Sequence, residues 1–179
     1  MNRDQLAHLL RAAANATDQI DILVIGSQAI LGSFDEADLP IETTQSMEAD
    51  LGFLHDSSEE LSDQIDGSIG EMSPFYDAFG YYGQGISLTT AVLPSGWRDR
   101  LVRFESEATR PARGWCLEPH DLVIAKLVRG DPKDYSFADA LRNISAVDPS
   151  VLAERLATTD VSDATRGRID RWIMDGDRG

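Results

Sequence analysis

The stretch Asp21-Ile22-Leu23-Val24-Ile25-Gly26-Ser27 constrains the fold more than any other part of the chain. Four apolar residues in succession, three of them β-branched, give no alternation between an inner and an outer face. That pattern belongs to a strand buried on both sides. Gly26 ends the run, and Ser27 to Leu31 reads as helical, with Ser27 able to cap it. The chain therefore needs a buried strand whose end turns sharply into a helix start. Free N–H groups at such a start can hold phosphate oxygens, and glycine lets a ligand approach the backbone. The same residues also suit a tight strand-to-helix turn that binds nothing.

About twenty residues on, Met47-Glu48-Ala49-Asp50-Leu51-Gly52-Phe53-Leu54 alternates weakly and predicts a second strand over 47–54. Residues i and i+2 of a strand point the same way, so Glu48 and Asp50 share a face. Two carboxylates so placed can reach one Mg²⁺. Taken alone, the pair also fits an exposed acidic edge.

The other elements follow from local signals. Residues 4–16 place Leu6, Leu9, Leu10 and Ala13 at helical spacing. Residues 32–45 read as a loop. Asp56-Ser57-Ser58-Glu59 predicts a helix start with the helix running to about Gly67, and Ser73-Pro74 starts another. Strands are expected over 85–93, 100–105 and 113–117. Pro119 opens a helix that Gly130 closes, and three more helices follow over 133–145, 148–158 and 162–174, the last capped by Ser162. Helices and strands do not alternate regularly, so a doubly wound sheet is not expected. The expectation is an α/β (α+β) fold: a mixed sheet flanked by helices, with C-terminal helices. Residues 1–117 would form the core with its N-terminal helix. Residues 118–179 would form a helical portion packed on it.

The chain has 179 residues, a length suited to one domain with a helical appendage. Its net charge of −15 is unevenly spread. Between Arg11 and Arg98 there is no Lys or Arg, and residues 12–97 hold 15 acids. The remaining 16 acids and 16 bases cancel. The acidic half should repel a nucleic acid backbone unless cations intervene. A single cysteine, Cys116, excludes an internal disulfide and a cysteine-built metal cluster. No apolar run approaches the ~20 residues needed to span a bilayer. The N-terminus lacks the apolar core of a signal peptide, so a cytoplasmic location without membrane contact is expected.

The series of strand, Gly26-Ser27, short helix and strand with Glu48-x-Asp50 resembles the nucleotidyltransferase superfamily, the fold shared by DNA polymerase β and the minimal nucleotidyltransferases. The segment Glu118-Pro119-His120-Asp121-Leu122-Val123-Ile124-Ala125-Lys126-Leu127-Val128-Arg129-Gly130, followed by Asp131-Pro132-Lys133-Asp134, resembles a helix of the bacterial branch that includes abortive-infection and toxin–antitoxin nucleotidyltransferases. The likeness covers roughly residues 5–145. It implies that Gly26 and Ser27 contact the triphosphate of an NTP, with Lys126 and Lys133 as cations beside it. It also implies that Glu48 and Asp50 are catalytic and hold Mg²⁺ or Mn²⁺. The implied reaction transfers a nucleoside monophosphate to a hydroxyl of RNA, protein or a small molecule. A cognate partner protein would fit a toxin–antitoxin or defence role.

Two positions depart from the family. Glu48 stands where Asp is usual. The third carboxylate, placed by many active members on a following strand, has no counterpart between Asp77 and Asp99. Glu105 is the candidate substitute by position. The alternative function is a catalytically degenerate module that binds nucleotide or an antitoxin-like partner. Arg98, Arg100, Arg103, Arg110 and Arg113 would offer a stripe for a phosphate-bearing acceptor, or pair with acids of the same molecule. A plain interaction domain would be indicated by Glu48 and Asp50 pointing away from Gly26-Ser27.

Overall fold

A computed structural model of the chain describes residues 1–56 and 58–175. The expected helix-start residue Ser57 lies outside the described residues. Helix α1 spans Arg3–Thr17 and is capped reciprocally by Asn2 and Gln5. Strand β1 follows over Asp21–Val24, then a 3-10 helix over Ser27–Gly32, a single turn α2 over Ile41–Thr44, and β2 over Glu48–Gly52. Helices α3 (Glu60–Ile69) and α4 (Pro74–Phe79) lead to β3 over Tyr82–Gly85. Strands β4 (Val102–Phe104) and β5 (Arg113–Cys116) precede α5 (Pro119–Arg129), α6 (Pro132–Asn143), α7 (Pro149–Ala157) and α8 (Asp163–Asp175).

Among the described residues the sheet has five strands in the order β3-β2-β1-β5-β4. β1 is central, as its unbroken apolar run requires. It pairs antiparallel with β2 and parallel with β5, while β2 and β3 run parallel and β4 and β5 antiparallel. The mixed sheet agrees with the fold class read from the sequence.

One face of the sheet is closed by α1 and α3, which pack on each other and on the strands. Leu6, Leu9 and Leu10 of α1 and Ile65 of α3 are fully buried there. Each such side chain contributes roughly 1.5–3 kcal/mol by leaving water. Leu51 pairs with Val24 on this closed face. Asp50 and Gly52 therefore point to the opposite face, since side chains alternate along a strand. Register adds Tyr82 beside Glu48, Gln84 beside Asp50, and Leu23 and Trp115 in one row with Gly52.

Several expectations need correction. The strand expected over 85–93 is not there. β3 lies earlier, over the glycine-rich Tyr82–Gly85, and residues Leu88–Thr90 form a 3-10 turn. The close packing of this edge explains the choice. A Cβ at Gly85 would meet the Ser62 carbonyl oxygen at 2.0 Å, so α3 can press on β3 only where side chains are absent. The short helix after β1 is of 3-10 type, and Ser27 does not cap it. Gly26 occupies the cap position without a side-chain bond. Helix α3 starts at Glu60, later than expected, with the Asp56 carboxylate accepting from the N–H groups of Leu61 and Ser62. Ser162 does accept from the Thr165 N–H, as a cap to α8 should. No helix among the described residues is long and apolar enough to cross a membrane.

Candidate active site

The end of β1 and the middle of β2 meet at one point. The Ile25 N–H donates to the Asp50 carbonyl at 3.1 Å, which brings Gly26 against the Asp50 side chain. A Cβ on Gly26 would fall 1.4 Å from Asp50 Oδ2 and 2.4 Å from Cγ. Only glycine leaves room for this carboxylate. Asp50 therefore points at Gly26, and Glu48 lines one cavity with Asp50 and Ser27, the opposite of what a plain surface decoration requires.

Glu48 lies one step back along the same face. Its Oε2 accepts a hydrogen bond from the Tyr82 hydroxyl at 2.8 Å, and Tyr76 packs edge-on against the Tyr82 ring. Burial, followed by the bond to Glu48 and its charge, holds the Tyr82 hydroxyl above its ordinary range. Burial pushes the Asp50 carboxyl up to about 6. Repulsion from Glu48 and a hydrogen bond with the Glu48 side chain add to the rise, and the Lys126 and Arg129 charges oppose it. A buried carboxyl raised by a neighbouring carboxylate is eased when a cation binds beside it.

Helix α5 supplies the positive side. Glu118 caps it, accepting from the N–H groups of His120 and Asp121, and Gly130 closes it. His120 is structural: its ring meets Glu118 at 2.5 Å and accepts from the Asp148 N–H at 2.9 Å. Lys126 is buried and donates to Ser27 Oγ at 2.8 Å. It also faces Asp134 at 3.4 Å and lies over the Phe137 ring at 4.5 Å. Burial lowers the Lys126 pKa, with Asp134 the main opposing charge. Arg129, one helical turn later, donates through Nε to Asp134 Oδ2 at 2.7 Å and through its terminal nitrogen to Oδ1. Burial alone would raise Asp134, but the Arg129 bond and the two cations outweigh it and hold its pKa low. Asp134 thus fixes both cations from behind. Lys133 is exposed at the edge of the site and makes no ion pair among the described residues.

The six residues expected from the sequence come together around two adjoining cavities. A polar one of about 130 Å³ is lined by Ser27, Glu48, Asp50, Lys126, Arg129 and Lys133, among others. A more apolar one of about 390 Å³ is bounded by Gly26, Asp50, Lys126, Arg129, Ile86 and Leu122. Asp50, Lys126 and Arg129 stand between them. Arg129 and Tyr82 were missed by sequence reasoning. The spacing of Arg129 three residues after Lys126, on the same helical face, was the available signal for the first. Nothing local marked Tyr82.

Among the described residues, β3 supplies no third acid. The residue opposite Asp50 on β3 is Gln84, flanked on the same face by Tyr82. Glu105 does not replace it. It lies just beyond β4, separated from β2 by β1 and β5, and pairs with Arg103. Among the described residues no three His, Cys, Asp or Glu side chains gather into a metal cage. The arginine stripe is also dispersed. Arg100 is bound bidentately to the buried Asp121, Arg110 to Glu107 and Arg113 to Asp21.

A mixed sheet that presents paired carboxylates against a Gly-Ser turn defines the nucleotidyltransferase class of fold and site. The chain belongs to the family described as nucleotidyltransferase of unknown function (DUF6036), which it matches over residues 4–171. No match was found among curated proteins or among solved structures.

Proposed function

We propose that the protein is a divalent-metal-dependent nucleotidyltransferase that moves a nucleoside monophosphate from an NTP to a hydroxyl. The observation that carries this reading is the contact of Asp50 with Gly26, which joins an acid pair to a phosphate-sized, cation-lined cavity. Glu48 and Asp50 would hold Mg²⁺ or Mn²⁺. Two carboxylates are a hard, oxygen-only donor set that leaves the other positions for triphosphate oxygens and water. The bound cation would offset phosphate charge and orient the acceptor oxygen in line.

This chain's residues do the rest. Gly26 and Ser27 keep the backbone close to the phosphates. Lys126, fixed by Ser27 and Asp134, meets the triphosphate as an immobile charge, and Arg129 and Lys133 add two more. The acceptor oxygen forms a bond to the α-phosphorus. The bond from that phosphorus to the bridging oxygen breaks, and pyrophosphate leaves with its electron pair. The hydroxyl proton passes to solvent, because Gln84 stands where a carboxylate base would serve and an amide cannot accept it.

That glutamine favours a second reading, in which the site binds nucleotide but transfers poorly and the protein acts through a partner, as in a toxin–antitoxin pair. The acceptor would be an RNA, a protein or a small molecule. The test is incubation of the purified protein with each labelled NTP and Mg²⁺ or Mn²⁺ in a cell lysate. Transfer to a macromolecule or metabolite, lost in Asp50→Asn, supports the enzyme. Metal-dependent NTP binding without any labelled product supports the second reading.

A further inference from the structure

A second cavity, of about 510 Å³, opens at the other end of the sheet face that carries the acid pair. Trp115 pairs in register with Leu23, and Leu23 with Gly52. Asp50 is two residues further along β2 on the same face. Strand spacing and rise put Trp115 about 12 Å from Asp50. The cavity is therefore separate from the carboxylate site, and its lining shares no residue with the two cavities there.

Its walls combine two chemistries. Leu23 and Phe53 are buried and form an apolar floor. The Trp115 ring is half-buried beside them, fixed by an indole N–H bond to Asp21 Oδ1 at 2.8 Å. Arg98, Arg113, His55 and Gln19 supply polar groups at the same cavity, and the Asp21 carboxylate, held by Arg113 and Trp115, lines it too. Arg98 is exposed and makes no ion pair among the described residues. Its guanidinium only rests over the Trp97 ring at 5.3 Å. Arg113 spends its terminal nitrogen on Asp21, yet its Nε is buried with no hydrogen-bond partner. A buried donor without a partner is costly, the more so on a charged group.

We propose that this cavity is a ligand site for a single nucleotide. The base lies against Trp115 over the apolar floor, and the phosphate lies on Arg98 and Arg113. The flat ring, the apolar floor and the adjacent free guanidinium match a planar group joined to an anion. The volume is that of a small-molecule site. The ligand is thus a free mononucleotide, or the last unit of an RNA that presents the same chemistry.

Adenosine 5′-monophosphate and a four-residue oligoadenylate, each titrated into the full chain without metal, test the proposal. Adenosine monophosphate binding is expected to survive Asp50→Asn. It should weaken about tenfold in Arg98→Ala, which removes a charge-assisted bond at an exposed position and leaves the fold intact. Trp115→Leu should weaken it by about as much. Tighter binding of the oligonucleotide with the same dependence on Arg98 supports the site and names an RNA end as its source. Equal or weaker oligonucleotide binding supports it with the free nucleotide as source. The proposal is overturned if adenosine monophosphate does not bind, or if its binding ignores Arg98 and Trp115. It is also overturned if Asp50→Asn abolishes that binding, which would place the nucleotide at the carboxylates. Capture of a hydroxyl-bearing peptide in place of either nucleotide overturns it too. Loss of metal-dependent NTP binding in Asp50→Asn, measured alongside, reports on the carboxylate site alone.

Discussion

The Asp50→Asn variant should be more stable than the native chain while its carboxylate site is disabled. The Asp50 carboxyl is raised from its ordinary 3.8 to about 6 by burial and by Glu48. At 1.36 kcal/mol per pH unit this corresponds to about 3 kcal/mol, an upper figure because part of the rise is repulsion from Glu48 that the site can relax. A raised acid is stabilising in its protonated form. Its contribution is complete below pH 3.8 and is lost as pH rises through about 6. The amide that replaces the carboxyl stays neutral at every pH and can still donate to Glu48. The variant should therefore gain up to about 3 kcal/mol over the native chain at pH 8, and about half as much at pH 5. For a domain of this size that is a rise in Tm of roughly 6–12 °C at pH 8. Urea unfolding of both proteins at the two pH values measures it. A variant that is no more stable at pH 8, or whose gain is the same at both pH values, would refute the claim that the acid pair is strained without a cation. A gain of the kind described is what a site built for binding leaves behind.

Four other outcomes are expected. Gly26→Ala should displace the Asp50 carboxylate and weaken Mg²⁺-dependent NTP binding by tenfold or more, with a stability loss of roughly 1–3 kcal/mol, read by calorimetry and urea titration. Asp134→Asn leaves Lys126 buried without its main counter-charge and should cost about 3–5 kcal/mol in urea unfolding. Gln84→Asp sets a third carboxylate opposite Asp50; turnover with labelled NTP should rise, and unchanged turnover would separate binding from transfer. Burial raises the Cys116 thiol to about 12, so a thiol reagent at pH 8 should label it only after unfolding.

The parts of the molecule that were legible in the sequence are those whose signal is local. The apolar run at 22–25 marks a buried strand, and acid-x-acid on the next strand had to share a face. Pro119 and Gly130 bracket α5 because each position tolerates little else. β3 was misplaced because a strand made of Tyr82-Gly83-Gln84-Gly85 has poor intrinsic propensity. The β-branched stretch after it looked better, but tertiary packing against α3 selected the glycines. The site's second layer was hidden for another reason. The Lys126–Ser27 bond joins residues 99 positions apart, and the Tyr82–Glu48 bond joins residues 34 apart. No periodicity encodes such pairs. The basic segment misled in the opposite way. Four of its five arginines are matched to acids, and two of those acids, Asp121 and Asp21, lie outside the segment and reach it only through the fold.

The most direct test of the account is calorimetric titration of each NTP into the native chain and into a Glu48→Gln/Asp50→Asn double variant, with and without Mg²⁺. The account predicts saturable binding to the native chain that requires the metal and disappears in the double variant. NTP binding of equal strength without metal, or undiminished in the double variant, would contradict it.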